Sequence, residues 1–229
     1  NTDSLLGSIN DDFDFEFVKQ VEVKFEELEE LENSDIFIHN PEHKPHNFSY
    51  CFKVKGSDQI ILANIQNEKV RILDETEVRN QVITPLNKEQ LFLSNAINQN
   101  FYNILVIEAK AGSGKTLLAL SGALKLVRHK VFQRIIYVRN SIESLDKGED
   151  VGYLPGLEEK FKIYNHPLMD SLDYIIRSEH KKKKANKKNS ETYTELDDQE
   201  VTLRIEQLIQ NYSIETMWVG EMRGRTISN

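Results

Sequence analysis

The feature that most constrains this chain is an apolar run followed by a glycine-rich turn and then by a helical pattern. Residues 104–107 are apolar and largely β-branched, as in a buried strand, and the apolar residues after Thr116 recur at helical spacing. Between them stands the motif Ala109-Lys-Ala-Gly-Ser-Gly-Lys-Thr116. Strand, loop and helix in this order form the context in which such a motif holds phosphate groups. We therefore predict a phosphate-binding loop, or P-loop, at residues 109–116.

Each residue type in this loop has a physical reason to be there. Gly112 and Gly114 let the backbone turn its N–H groups towards phosphate oxygens, and the helix N-terminus adds partial positive charge. Lys115 would reach the β- and γ-phosphates, and the hydroxyl of Thr116 would ligate Mg²⁺. The motif departs from its usual form at Ala109, where glycine is common, and the alternative is a glycine-rich turn that binds nothing. The predicted cofactor-binding residues of the loop are Ala109, Lys110, Ala111, Gly112, Ser113, Gly114, Lys115 and Thr116.

Composition and charge limit the classes of protein to which this chain can belong. The 229 residues are 39% hydrophobic and 29% charged, as in a soluble globular protein, and no apolar run approaches the roughly 20 residues that span a bilayer. The single cysteine, Cys51, excludes an internal disulfide, and we expect it to be buried in a strand. Residues 1–50 carry thirteen acidic and three basic residues, whereas the remainder has a net charge of +2. The overall acidity therefore does not exclude a nucleic-acid partner.

The stretch before the P-loop predicts a short strand, a short helix and a small sheet. Val18 to Val23 alternates like a strand, and Phe25 to Leu31 has the spacing of an amphipathic helix. Three strand-like runs between Phe48 and Leu73, separated by turns, predict a small antiparallel sheet. Two clusters invite a metal interpretation, but we interpret them as polar segments because they lack further ligands; they are Asp11, Asp12 and Asp14, and His39, His43 and His46.

A helix is predicted shortly before the P-loop, from about Gln90 to Ile97, with Pro85 just ahead of it. The pattern Leu86-Asn-x-x-Gln90 resembles the adenine-reading element of superfamily 1 helicases. A glutamine amide can pair with both a donor and an acceptor on the adenine edge. Gln90 is therefore a candidate adenine-binding residue, and the alternative is an exposed glutamine without a role.

Beyond the P-loop the pattern predicts alternating helices and strands. Residues 134–139 predict a strand after the P-loop helix, which implies a right-handed crossover and a parallel sheet. Arg139 would then lie at the carboxyl end of that strand, on the nucleotide side, although a salt-bridged structural arginine fits equally well. Lys181 to Lys188 holds six lysines in eight residues, which predicts either a flexible insertion or a phosphate contact. The remaining predicted elements are a helix through Leu157 and Leu168, a helix from Asp198 to Ile209 and a strand from Ile214 to Val219.

Four blocks in this order resemble the PhoH-like ATPases. They are the P-loop, Ile135-Ile-Tyr-Val-Arg-Asn140, Asp150-Val-Gly-Tyr-Leu-Pro-Gly-Leu-Glu-Glu-Lys160 and Met222-Arg-Gly-Arg-Thr226. Asn140 stands where the family usually has proline, and Leu157 follows Gly156 without the acidic residue common there. Residues 48–83 are similar, more loosely, to the connector of the subgroup with an N-terminal PIN ribonuclease domain, a domain that we do not expect within this chain.

The resemblance implies three parts and an α/β fold. Residues 1–47 would be an acidic lead-in and short helix that end a preceding domain, residues 48–83 a small antiparallel β connector, and residues 84–229 the N-terminal part of the ATPase domain. That domain would be a P-loop NTPase core, an incomplete parallel sheet flanked by helices. The family's Asp-Glu pair would follow Asn229, so we expect this chain by itself to bind ATP but to hydrolyse it negligibly.

The resemblance also implies a function. The full-length protein would be a cytoplasmic ATP hydrolase that couples Mg²⁺-dependent ATP hydrolysis to RNA binding, unwinding or degradation. Its partners would be single-stranded RNA and further copies of itself in a homo-oligomeric ring, with no membrane. The implied catalytic residues, with the arginines serving the γ-phosphate or nucleic acid, are Lys115, Arg139, Arg223 and Arg225. Two alternatives are a P-loop small-molecule kinase with the lysine-rich segment as a lid, and a non-hydrolysing nucleotide-gated binding module.

Overall fold

A computed structural model describes residues 18–24, 49–66, 69–100, 103–139, 166–185 and 195–222. The chain divides into two compact units, Asn1–Glu75 and Thr76–Asn229. The helix predicted at Phe25 to Leu31 and the aspartate and histidine clusters lie outside the described residues. The three-part division at residues 47 and 83 stays a prediction.

The first unit contains a four-stranded sheet in the order β1-β2-β3-β4. Its strands are β1 (Val18–Val23), β2 (Ser49–Val54), β3 (Ile60–Gln66) and β4 (Lys69–Ile72). The antiparallel pairing of β2 with β3 and of β3 with β4 agrees with the predicted small sheet. The sequence did not predict that β1 joins this sheet parallel to β2, with Val18 opposite Ser49.

Strand β2 forms the centre of the core of this sheet. Its alternate residues Tyr50, Phe52 and Val54 are each at most 1% exposed, and they pack with side chains of β1, β3 and β4. Cys51 points to the opposite face and is also buried, with a free thiol. The prediction of a buried strand cysteine is therefore confirmed.

The described chain from Glu75 onwards is mainly helical and contains one parallel pair of strands. Its elements are α1 (Glu75–Arg79), α2 (Lys88–Gln99), α3 (Lys115–Arg128), β5 (Ile135–Arg139), α4 (His166–Ala185), α5 (Asp198–Asn211), β6 (Ile214–Trp218) and α6 (Val219–Met222). Strands β5 and β6 are parallel, with Ile135 opposite Ile214. Helices that follow and connect parallel strands define an α/β unit. The predicted α/β fold with a parallel sheet, preceded by a small antiparallel β unit, is confirmed.

The core of the second unit lies among α3, α4 and α5. Most buried residues recur at spacings of three or four along these helices, which gives each helix one apolar face. They pack into one cluster that also includes Ile83, Leu196 and Ile214. The helical members are Leu118, Leu120, Leu124, Leu168, Leu172, Ile175, Ile176, Val201, Ile205 and Leu208. No described helix is long and apolar enough to cross a membrane.

The strand predicted ahead of the P-loop is not present in this structure. Residues 103–110 belong to no helix or strand, and Ile104 and Val106 are each 83% exposed. A β-branched run becomes a strand only when a neighbouring strand pairs with its backbone N–H and C=O groups. In the described part of the chain, β5 pairs with β6 and no strand pairs with residues 104–107. The prediction of a strand there is wrong for this structure.

The first part of the lysine-rich segment, residues 181–185, forms the C-terminal end of α4. This helix continues to Ala185, so the predicted flexible insertion is wrong for residues 181–185. Lysine is a good helix former, and its positive charge is favourable at a helix C-terminus. The Nζ of Lys182 also donates to the backbone carbonyl of Gln81 and, at 3.1 Å, to the Oγ1 of Thr84. Of the helix predicted through Leu157 and Leu168, only the part from residue 166 lies within the described residues.

Candidate functional site

The P-loop lies immediately ahead of α3, with its two glycines in conformations that favour glycine. Gly112 has φ +77° and Gly114 has φ +82°, in the left-handed region that other residues rarely adopt. The backbone N–H of Ser113 donates to the carbonyl of Lys110 at 3.3 Å, which closes the turn. Gly114 is the N-cap of α3, and no side chain caps this helix. The first N–H groups of α3 are therefore available to an anion such as phosphate.

Lys115 reaches back over the loop that precedes it. Its Nζ donates to the carbonyl of Ala109 at 3.2 Å and to the carbonyl of Lys110 at 3.3 Å. Both acceptors are neutral, whereas a phosphate oxygen is charged and forms a stronger hydrogen bond with an ammonium group. A phosphate at the loop can therefore replace these carbonyls as the partner of Lys115.

Thr116 is the second residue of α3 and is half-buried beside Lys115. Its hydroxyl is the type of hard oxygen ligand that Mg²⁺ prefers. The described residues contain no group of three or more histidine, cysteine, aspartate and glutamate side chains that could hold a metal ion. The Thr116 hydroxyl can supply one ligand to an ion that arrives bound to nucleotide phosphates.

Gln90 lies against the P-loop although 23 positions separate it from the loop residue that it contacts. Its Nε2 donates to the carbonyl of Ser113 at 3.0 Å. Its Oε1 accepts the backbone N–H of Leu86 at 2.7 Å. Asn87 caps α2 by accepting the backbone N–H of Gln90 at 2.9 Å. The structure thus brings the predicted adenine-reading residue and the predicted phosphate loop together.

The three predicted arginines remain predictions. Arg139 is the last residue of β5, as predicted, and is half-buried opposite Trp218 of β6. Burial raises the pKa of the Tyr137 phenol above its ordinary value, and the positive charge of Arg139 opposes this shift. Arg223 and Arg225 lie outside the described residues, directly after α6.

Sequence reasoning missed one residue that holds the site together, Gly122 in the middle of α3. A Cβ at this position would lie 2.4 Å from the Cγ2 and 3.2 Å from the Cβ of Ile97 in α2. The missing side chain therefore allows α2 to approach α3 closely, which brings Gln90 within reach of the loop. A signal was present, because glycine within a helix costs about 1 kcal/mol relative to alanine and usually has a packing reason.

A glycine-rich loop that leads into an uncapped helix, beside a parallel strand pair, defines an α/β protein with a P-loop. Residues 82–229 match the family model described as PhoH-like protein. This chain belongs to the PhoH-like family, a family of ATP-binding P-loop proteins, and its predicted membership is confirmed.

The curated relatives match part of the chain. It is 32% identical over 98 residues to the Protein PhoH2 of Bacillus subtilis, which covers 42% of this chain and 22% of that protein. It is 37% identical over 105 residues to a PhoH-like protein of Mycobacterium bovis, which covers 45% of this chain and 28% of that protein. A PhoH-like protein of Synechocystis is 30% identical over 120 residues, which covers 52% of this chain and 28% of that protein. The chain thus matches less than a third of the length of each relative. No solved structure matches it significantly.

Proposed function

We propose that this chain binds ATP with Mg²⁺ at the P-loop, and that the full-length protein uses ATP hydrolysis to act on RNA. The observation that carries the nucleotide part is the loop itself. Two glycines with positive φ lead into the uncapped N-terminus of α3, and the ammonium group of Lys115 lies across the loop. This arrangement collects N–H groups and one positive charge around a small volume, as phosphate binding requires.

Each residue of the loop has a distinct task in this proposal. The N–H groups of the loop and of the first turn of α3 bind the β- and γ-phosphate oxygens. Lys115 exchanges its bonds to the carbonyls of Ala109 and Lys110 for bonds to phosphate. Thr116 offers its hydroxyl oxygen to Mg²⁺, which when bound neutralises phosphate charge. Lys115 also stabilises charge that develops on the transferred phosphoryl group.

Gln90 gives the site a preference for adenine in this proposal. The adenine edge offers an amino donor beside a ring-nitrogen acceptor, and a glutamine amide matches both. Guanine presents two acceptors at the same edge, so one of them would face the amide oxygen. We therefore expect ATP to bind more tightly than GTP.

The RNA part of the proposal is supported by the family resemblance and by charge. Residues 51–229 have a net charge of +2, although the whole chain has −8. Lys181 and Lys183 are exposed near the C-terminal end of α4, where they are accessible to a phosphate backbone. In this proposal Arg139, Arg223 and Arg225 serve the γ-phosphate or RNA. In this proposal the full-length protein is cytoplasmic, binds single-stranded RNA and assembles as a homo-oligomeric ring.

The nucleotide part is tested with Lys115→Ala and a matched control, Lys125→Ala, in the same helix. Charge-assisted hydrogen bonds contribute about 1.5–3 kcal/mol, so we expect Lys115→Ala to weaken ATP binding about tenfold or more. Lys125 lies at the other end of α3, and its replacement should leave ATP binding unchanged. The measurement is titration with a fluorescent ATP analogue in the presence of Mg²⁺. Equal ATP affinities for Lys115→Ala and wild type would show that the loop is not the ATP site.

The catalytic part is tested by measuring phosphate release from ATP by the full-length protein, with and without single-stranded RNA. Mg²⁺-dependent hydrolysis that RNA stimulates and Lys115→Ala abolishes supports the proposed motor. Transfer of the phosphoryl group to a small acceptor instead indicates a kinase. Tight ATP binding by the full-length protein without turnover indicates a nucleotide-gated binding module.

A further inference from the structure

The side chain of Gln90 connects two segments of backbone, one just ahead of α2 and one in the P-loop. Its Nε2 donates to the Ser113 carbonyl at 3.0 Å, and its Oε1 accepts the Leu86 N–H at 2.7 Å. The backbone of Gln90 is held as well, because its N–H donates to the N-cap side chain of Asn87 at 2.9 Å. The amide is therefore fixed at both ends before any ligand binds.

The bond to Ser113 acts on the peptide group that leads into α3. In a planar trans peptide the C=O and the following N–H point in opposite directions. Because the Ser113 carbonyl points towards Gln90, the N–H of Gly114 points away from it. Gly114 has φ +82°, and a Cβ there would lie 3.4 Å from the Nε2 of Gln90, so the loop passes close to the amide. Gln90 thus determines the direction of one N–H at the turn of the P-loop.

The helix that carries Gln90 is itself held closely against α3. The contact between Gly122 and Ile97 leaves no room for a Cβ at position 122. Gln90 at the N-terminal end of α2 and Ser113 just ahead of α3 therefore belong to one packed pair of helices. A hydrogen bond between two elements fixed in this way orients the loop more strongly than one from a mobile side chain.

We propose that Gln90 is a positioning residue for the phosphate loop, in addition to any contact with a base. It holds the Ser113–Gly114 peptide so that the N–H of Gly114 is ready to donate to a phosphate oxygen. This inference rests on the proposed function, because that function supplies the phosphate. It predicts that Gln90 matters even for a phosphate ligand that contains no base.

The same amide has the capacity to serve a base at the same time. A glutamine amide has two N–H donors and two acceptor lone pairs. Within the described part of the chain, Gln90 uses one donor for Ser113 and one lone pair for Leu86. One donor and one acceptor remain, which is the pair that the adenine edge requires. Gln90 therefore links base recognition directly to the geometry of the phosphate loop.

The experiment measures binding of inorganic tripolyphosphate with Mg²⁺, a probe that has phosphates but no base. The test variant is Gln90→Met, which keeps similar length and zero charge but cannot donate to Ser113. We expect it to weaken tripolyphosphate binding about fivefold to tenfold, the size of one hydrogen bond to a loop peptide. The control is Gln99→Met at the exposed other end of α2, which should bind tripolyphosphate like wild type.

A second variant, Gln90→Glu, supplies a pH signature. Its carboxylate still accepts the Leu86 N–H but repels the Ser113 carbonyl, whereas the protonated acid can donate to that carbonyl. The ratio of wild-type to Gln90→Glu affinity for tripolyphosphate should therefore shrink as the pH falls from 8 towards about 5, where a glutamate begins to protonate. The control is Gln99→Glu, which adds the same charge to the same helix. The ratio of wild-type to Gln99→Glu affinity for tripolyphosphate should stay near one over this pH range.

The outcomes separate this inference from the proposed function. Weaker ATP binding by Gln90→Met with unchanged tripolyphosphate binding would mean that Gln90 contacts the base alone, which overturns the positioning role. If wild type binds neither ATP nor tripolyphosphate, the proposed function fails. The positioning role is then decided by amide resonances of the ligand-free chain. A Gly114 N–H resonance that Gln90→Met leaves unshifted, at equal thermal stability, overturns it.

Discussion

At the scale of single residues, the phosphate loop depends on two glycines and two side chains at the start of α3. Gly112 and Gly114 both have positive φ, so another residue at either position would be strained. Lys115 is already bonded across the loop to the carbonyls of Ala109 and Lys110, and the hydroxyl of Thr116 is the oxygen that we propose binds Mg²⁺. The loop is therefore shaped before a ligand arrives, and in the proposed function the contact with Mg²⁺ forms when the nucleotide binds.

A prediction at this scale concerns Thr116. Thr116→Ala removes the proposed Mg²⁺ ligand but not the loop N–H groups. Mg²⁺ should therefore increase the ATP affinity of this variant about tenfold less than it increases that of wild type. Thr116→Ser keeps the hydroxyl and should retain this gain. The measurement is the ATP dissociation constant with Mg²⁺ and with EDTA. Ser121→Ala, which removes a hydroxyl one turn further along α3, is the control. An unchanged Mg²⁺ effect in Thr116→Ala would exclude the hydroxyl as a ligand.

At the scale of elements, the contact between α2 and α3 places the two halves of the candidate site together. The α2 helix presents Gln90 at its N-terminal end and Ile97 near its C-terminal end. Asn100, with φ +51°, ends α2 as a left-handed cap. The close approach at Gly122 then sets how far Gln90 lies from the loop.

Gly122→Ala tests this contact. Alanine gains about 1 kcal/mol of helix propensity, but overpacking against Ile97 costs about 1–3 kcal/mol, so we expect a net loss of stability and weaker ATP binding. In the background Ile97→Ala the obstruction is absent, and Gly122→Ala should then be neutral or stabilising. Urea unfolding of the four proteins in this double-mutant cycle measures the difference. Additive effects would show that the two residues do not oppose each other.

At the scale of the whole molecule, an ion pair and a cation–π contact of the same arginine connect three helices around the core of the second unit. Arg128 at the end of α3 pairs with Glu179 of α4, and the two side chains are 29% and 16% exposed. The guanidinium also lies 5.5 Å from the centre of the Tyr212 ring, directly after α5. The pair therefore connects the same helices that the apolar cluster joins.

Arg128→Met should destabilise the fold by about 1–3 kcal/mol, because it leaves the largely buried Glu179 carboxylate without its partner. The matched control is Arg204→Met, which breaks the exposed pair with Glu200 inside α5 and should cost at most about 0.5 kcal/mol. Urea unfolding measures both free energies. Similar losses in the two variants would show that the Arg128 pair acts as an ordinary surface pair.

Much of the second unit was predictable because its signals are local. The periodicity around Leu118 and Leu124, the N-cap Asn87 and the glycines of the P-loop each act within a few residues of their own position. The pairing of β1 with β2 was not predictable, since 31 positions separate Val18 from Ser49. The sequence of a single strand does not specify which other strand it pairs with. The lysine-rich composition of residues 181–188 predicted a flexible insertion, whereas the helix propensity of lysine lets α4 continue to Ala185.

By itself, the sequence determined the family, the position of the phosphate loop and the α/β class, because these follow from residue types at short, defined spacings. The tertiary structure decided which segments meet. It placed Gln90 on the Ser113 carbonyl, required glycine at position 122 and left residues 104–107 outside any described sheet. The physical reason is that a hydrogen bond, a close helix contact or a strand exists only when a distant partner is in place. The residues near one position do not specify which distant residue that partner is.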